Sequence, residues 1–290
     1  MGVMPSTAAT AGRASPPRER KVSGDTITGW LFSAPAIILI AAFIVLPFIL
    51  AFYFSFTNER LISPPGRETE WVGLRNYQRT FEDPLFWKAL GNNIVFSIVV
   101  VPVQTFFALL LAILVNQKLR GVVVFRTIFF MPITVVMAAV AVIWVVLLNP
   151  QGLINAFMEI VTLGQFTPNW LGDPSTALAA VMLVSIWASV GFQMVILLAA
   201  LQDVPETLYE AARLDGAGRW QQFLNVTLPG IRNPLLFVLT VTTILSFRLF
   251  DQVWIMPARP GGPLDSTRTL MVDIVDTGLN NGAIGRGSAL

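Results

Sequence analysis

Residues 202–234 read QDVPETLYEAARLDGAGRWQQFLNVTLPGIRNP, a polar stretch between two apolar runs. It holds acids, bases, amides and hydroxyls, yet their spacing suits recognition rather than bond making. Asp203 with Glu206 three residues later has capping-box spacing, Pro205 suits a first helical turn, and Leu208, Ala211, Ala212 and Leu214 form one apolar flank. Asp215-Gly216-Ala217 should break that helix, and a second short helix should run from Arg219 to about Thr227 and stop at Pro229. A helix lying on a membrane usually carries Lys and Arg on its polar face. The first helix here is acid-led with small Ala residues, which suits a groove on another protein.

Covalent chemistry is largely excluded. The 290 residues include no Cys and no His, which removes thiol nucleophiles, disulfides, imidazole acid–base work and the usual zinc sites. No G-x-x-x-x-G-K-[ST] is present, so the chain has no loop to cradle a nucleotide. We expect no catalytic residue, metal ligand or cofactor of its own, and no nucleic-acid partner for so apolar a chain.

Groups suited to meeting a solute lie inside apolar runs. Arg248 and Asp251, three apart, share one helical face where they can pair, and charges within a span tend to face a bundle interior or a water-filled cavity. An ion pair that merely pins the helix, with Trp254 anchoring at the interface, fits equally well. Sugars are held by polar groups and aromatic faces, which directs attention to Asn92, Asn93, Gln104, Trp187, Ser189, Gln193 and Gln252. For each alone, packing or an interhelical hydrogen bond is the competing role. The substrate-path candidates are thus Asn93, Gln104, Trp187, Gln193, Arg248, Asp251 and Gln252. Trp144 reads as an outer-interface anchor, and Pro260-Gly261-Gly262-Pro263 as a rigid outer turn.

The elements that must position these groups follow from where charge is missing. Hydrophobic residues make up 54% and charged residues 12%, against about 25% charged in soluble domains. Thr26 to Asn58 is 33 residues without a charge, Ala89 to Gln117 is 29, Thr127 to Met158 is 32, and Pro174 to Gln202 is 29. Each exceeds the roughly 20 residues that cross a hydrocarbon core. The expected fold is an all-α, polytopic membrane helix bundle with helices at about 30–56, 89–115, 124–148, 177–201 and 234–257. Pro35, Pro47, Pro102 and Pro132 lie in or at the ends of these helices, which a packed bundle tolerates. Residues 1–25, rich in Pro, Ser and Gly with Arg13, Arg18, Arg20 and Lys21, read as a flexible cytoplasmic tail, and 26–290 as one transmembrane domain. The apolar run after Lys21 is too long for a cleaved signal peptide. Lys118, Arg120 and Arg126 on one side of the third helix, against no Lys or Arg in residues 149–176 on the other, put the N-terminus in the cytoplasm. Five spans then leave the C-terminus outside. No internal repeat suggests an inverted-repeat transporter.

Glu210-Ala211-Ala212, Asp215-Gly216-Ala217 and Leu228-Pro229 resemble the EAA motif of permease subunits in binding-protein-dependent ABC importers. The string PETLYEAARLDGAGRWQQFLNVTLP is similar to the carbohydrate-type version, as in maltose and glycerol-phosphate systems. WVGLRNYQRTFEDPLFWKALGNN, FRTIFFMPITV and LFDQVWIMPARPGGP extend the resemblance over nearly all of residues 28–290. The resemblance implies a multi-pass bacterial inner-membrane subunit in the lipid bilayer. It implies a second permease chain, a dimeric cytoplasmic ATPase carrying ATP and Mg2+, an extracytoplasmic binding protein, and a sugar or similar polar solute as partners. It also implies ATPase docking through Glu210, Ala211, Ala212, Asp215 and Gly216, so that closure of the ATPase on ATP alternates access to a central site. One further helix after Gly285-Arg286-Gly287-Ser288-Ala289-Leu290 is implied as well, an expectation that a sequence ending at Leu290 does not meet. A secondary transporter or channel without an ATPase gives no reason for the polar insertion. A bare membrane anchor predicts that the polar span residues are dispensable.

Overall fold

A computed structural model describes residues 24–62, 68–117 and 121–290. The tail's basic residues, Lys118 and Arg120 lie outside the described residues. Those to Ala51 form one unit and Phe52–Leu290 a second. Among the described residues the architecture is helical, with a single antiparallel bridge, Thr57 to Trp71.

The first unit is α1 (Gly24–Ile40), a π turn at Ala41–Val45, and most of α2 (Leu46–Phe54), giving an apolar span over Thr28–Phe54. The second unit opens with α3 (Arg75–Glu82) and α4 (Pro84–Val115). Asp83 caps α4 by accepting from the Leu85 N–H at 2.9 Å, and Pro84 fills the first turn, where no N–H is needed.

Where one straight helix over 124–148 is expected, the chain instead forms α5 (Val122–Phe130), a 3-10 turn at Met131–Thr134 and α6 (Met137–Leu147), bent by 101°. Pro132 lacks a donor, and Val135 turns extended, with φ −92° and ψ 136°. A Cβ on Gly191 would lie 1.8 Å from the Phe129 carbonyl oxygen, so glycine there lets the turn seat directly on the neighbouring helix.

That neighbour is α8 (Ala177–Gln202), reached after a helix that the sequence reading missed, α7 (Leu153–Thr162). Helix α8 lies along α4 for much of their length, and its inner side is buried: Val181 and Val184 are inaccessible in one core cluster, and Met194 and Leu197 in a second that includes Ala108 and Ala112 of α4. Small residues allow that close approach.

The polar insertion forms α9 (Glu206–Leu214), α10 (Arg219–Gln222), a π turn at Phe223–Thr227 and α11 (Leu228–Gly230). Pro229 therefore does not stop the second helix, which it enters within the first turn of α11. The last long helix, α12 (Arg232–Phe247), breaks before α13 (Asp251–Ile255). The carbonyl freed there, on Leu249, accepts from Thr269 Oγ1 at 2.9 Å. Short helices α14 (Leu270–Val275) and α15 (Ile284–Gly287) complete the chain, with a π turn at Asp276–Asn280 between them.

Candidate functional site

Two features stand out, one inside the bundle and one at its end. The first is a polar seam. On α8, Ser185, Ser189 and Gln193 recur every four residues and so share a face, and on α12 Thr242 and Ser246 do the same. Gln104 from α4 and Gln252 from α13 join them. Gln193 Nε2 donates to Thr242 Oγ1 at 2.5 Å, and Gln252 Nε2 donates to Ser185 Oγ at 3.4 Å. The hydroxyls of Ser185, Thr242 and Ser246 donate back to carbonyls of their own helices, at 2.7 to 2.8 Å. Gln193 Oε1 is buried with no partner among the described residues.

Two hollows flank this seam. One of about 80 Å³ is lined by Gln104, Ser185, Ser189, Thr242, Ser246 and Gln252 among others. The other, about 120 Å³, shares Gln104, Ser189 and Thr242 and adds Gln193 with the apolar Phe192 and Phe237. Polar groups converging on an otherwise apolar hollow can orient a solute rich in hydroxyls.

Of the seven expected path residues, Gln104, Gln193 and Gln252 therefore come together. Asn93 stands apart. Its amide is fully buried and spent at both ends, donating to the Ser246 carbonyl at 3.0 Å and accepting from the Leu270 N–H at 2.8 Å. Trp187 is half exposed and packs edge-on against Trp144, centroids 5.4 Å apart, lining neither hollow. Trp144 itself packs against the core cluster, and Trp254 stacks on Phe250 at 5.1 Å. Arg248 and Asp251 are exposed and form no ion pair with each other. The expected pairing assumed a continuous helix, whereas the break puts Arg248 at the end of α12 and Asp251 at the start of α13. The sequence reading missed Ser185, Thr242 and Ser246, although their four-residue recurrence was the available signal.

The second feature is the elbow of α9 and α10. Asp203 does not cap α9. It ends α8 in helical conformation, and Pro205 precedes α9 with no side-chain cap. The reciprocal contact sits one helix later, where the Gly218 N–H donates to Gln221 Oε1 at 2.8 Å. Gly216 makes the turn at φ +79°, a left-handed conformation that glycine adopts freely. Glu210, Ala211, Asp215 and Gly216 are exposed and Ala212 is half-buried. Beside them Leu208, Leu214 and Trp220 are exposed, Leu214 to 90%.

At the other end of α4 lies a cluster that the sequence did not announce. Arg268, buried, meets Asp273 at 2.6 Å, Asp276 at 3.0 Å and Asp265 at 3.6 Å. Burial pulls its pKa down, but the bonds and charges of Asp273 and Asp276 outweigh this and hold the guanidinium above its ordinary value. Asn92 Nδ2 donates to the carbonyls of Asp265 and Arg268 at 3.1 and 2.9 Å, Lys88 donates to the Leu264 carbonyl, and Arg286 pairs with Asp83. In the Pro260–Pro263 turn, Gly262 has φ +73°, and a Cβ on it would come within 2.4 Å of Thr267 Oγ1.

The chain matches the family model described as binding-protein-dependent transport system inner membrane component over residues 104–284, which spans the seam and the elbow together. It belongs to that family. The lactose transport system permease protein LacF of Rhizobium radiobacter is 34% identical over 249 residues, covering 86% of this chain and 82% of that one. The trehalose/maltose transport system permease protein MalF of Thermococcus litoralis is 34% identical over 263 residues, covering 90% and 86%. Among solved structures, a bacterial ABC transporter involved in the import of alginate aligns with TM-score 0.77 at 23% identity over 91% of this chain and 90% of that one. A second, of an alginate ABC transporter in complex with alginate-bound periplasmic protein, aligns with TM-score 0.79 at 22% identity over 93% and 90%. These two establish likeness of fold. The inner membrane component thus has the polytopic helical architecture that its charge-free runs require.

Proposed function

We propose that this inner membrane component is the permease subunit of an ATP-driven importer for a sugar or similar polar solute. The elbow and the N-terminus face the cytoplasm, and a separate ATPase dimer grips the elbow. The observation that carries this reading is the elbow's exposed surface. Glu210, Ala211, Asp215 and Gly216 stand in the open beside Leu208, Leu214 and Trp220, on a short helix whose small residues allow close approach to a groove. Glu210 supplies a carboxylate for a basic or amide partner, and Gly216 sets the turn.

The relatives named for lactose and for trehalose/maltose support a carbohydrate as the solute class, and the alginate transporter's periplasmic protein supports an extracytoplasmic binding protein as partner. Gln104, Gln193 and Gln252 are the residues we assign to the solute's path, with Ser185, Ser189, Thr242 and Ser246 beside them. Arg248 and Asp251, exposed where α12 breaks, remain path candidates facing the second permease chain. ATP and Mg2+ belong to the ATPase.

The test is Glu210→Lys combined with Gly216→Pro. Proline fixes φ near −65°, which the +79° turn forbids, and lysine reverses the charge. We expect normal membrane insertion with loss of the co-purifying ATPase. Undiminished co-purification would remove the docking assignment.

A further inference from the structure

Helix α9 meets the rest of the chain chiefly at α10 and at the π turn Phe223–Thr227. Behind it lies a hollow of about 290 Å³, bounded by Ile113, Leu201, Tyr209, Arg219, Phe223 and Thr227. The open hollow leaves that side of α9 lightly packed. Across the void's rim, Tyr209 Oη and Thr227 Oγ1 lie 3.0 Å apart, Thr227 buried and Tyr209 half-buried. Among the described residues, this is the one hydrogen bond from an α9 side chain to residues beyond Ala217.

Its position in the chain matters. Thr227 closes the π turn, and α12, which carries Thr242 and Ser246 of the seam, begins five residues later at Arg232. We propose that the Tyr209–Thr227 hydroxyl pair is the strut that carries displacement of α9 into α12, making Tyr209 a positioning residue for transport rather than part of the docking surface. The inference rests on the elbow being where the ATPase binds. The hollow gives the strut its importance: a tyrosine ring released from Thr227 has empty space to turn into, so α9 can move without dragging the π turn. Coupling between sites is carried by packed side chains and hydrogen bonds, and among the described residues this pair is the side-chain hydrogen bond that ties α9 to the π turn.

The chain has no cysteine, so Leu114→Cys on α4 and Leu236→Cys on α12, both exposed, give a spin-label pair whose signal is isolated by difference from the unlabelled complex. The distance is read in the complete reconstituted complex, before and after trapping with ATP and vanadate, together with ATPase recovery and melting temperature. In the parent, trapping should shift the distance. Tyr209→Phe and Thr227→Val should keep the ATPase bound yet cut the shifted population about fivefold, the scale of one neutral hydrogen bond. Thr227→Ser, which keeps a hydroxyl, should restore it. A full shift in Tyr209→Phe overturns the strut, whether or not the melting temperature falls. Loss of the ATPase from Tyr209→Phe alone overturns it too, by making Tyr209 a docking residue. Absence of the ATPase from the parent complex sinks the docking reading itself, and the strut with it.

Discussion

The two ends of α4 are built on opposite plans. At its N-terminal end, Lys88, Asn92 and Asn93 each bond the backbone of residues 264–270, Arg286 reaches back to Asp83, and Arg268 sits buried among three carboxylates. At the other end, the elbow stands clear, with apolar side chains exposed, an open hollow behind it and, among the described residues, one side-chain hydrogen bond from α9 reaching past Ala217. The first plan fixes a surface in place, since side chain to backbone bonds hold a loop at defined points. The second leaves a lever free to be taken up by another protein. Local stability within one chain can differ this much because cooperative units open independently. The contrast predicts that stability concentrates at the bolted end and that loss of function without loss of stability concentrates at the elbow.

The sharpest break should come from Arg268→Ala. Asp273 would be left buried without its cation, and removing one member of a buried ion pair costs about 3–5 kcal/mol. Thermal melting in detergent should show this as the largest drop among single substitutions at that end. A drop no larger than a surface change would mean that water reaches the cluster and that the bolt is illusory. Asn93→Leu comes next. It strands the Ser246 carbonyl and the Leu270 N–H together, and unpaired buried groups cost about 1–3 kcal/mol each. Burying a leucine side chain there offsets about 1.5–3 kcal/mol of that loss, so its melting temperature should fall by less than that of Arg268→Ala.

At the elbow, Leu214→Ser should leave melting within about 0.5 kcal/mol of the parent, as exposed substitutions do. ATPase recovery should nevertheless fall severalfold, because an apolar side chain this exposed is available to a groove. Equal losses of stability at both ends would erase the contrast.

How far these differences were readable beforehand varies with how local their causes are. Charge-free runs located the spans because hydrocarbon tolerates no scattered ions, and the EAA-like string located the elbow because its Pro, Gly and polar residues set local backbone geometry where they stand. Pro132 was visible, but a bundle can either absorb a proline or bend at it. The choice depends on Gly191, some sixty residues away, meeting the Phe129 carbonyl. Asn93 is legible as a polar amide within a span, but its partners Ser246 and Leu270 come from distant helices that no local pattern names. The Arg248–Asp251 pairing failed because it borrowed helical geometry across a break that no Gly or Pro marks in SFRLFD. Arg268 was unreadable because its three acids approach through loop and short-helix geometry that has no period.

The smallest expected effect on stability falls between the two ends, in the seam, and it decides what the seam is for. Interhelical hydrogen bonds in membrane proteins average about 0.6 kcal/mol, so Gln193→Leu, which removes the bond to Thr242, should barely move the melting temperature. It also removes a buried carbonyl oxygen that has no partner, which by itself favours the substitution. A structural glutamine would therefore be nearly replaceable by leucine, and solute uptake would persist. If instead Gln193 holds a hydroxyl-rich solute in passage, uptake should fall about tenfold or more, because a site built to hydrogen-bond loses far more than packing when the polar group goes. Uptake measured beside melting in the same preparation separates these outcomes, and retention of uptake would reduce the seam to helix packing.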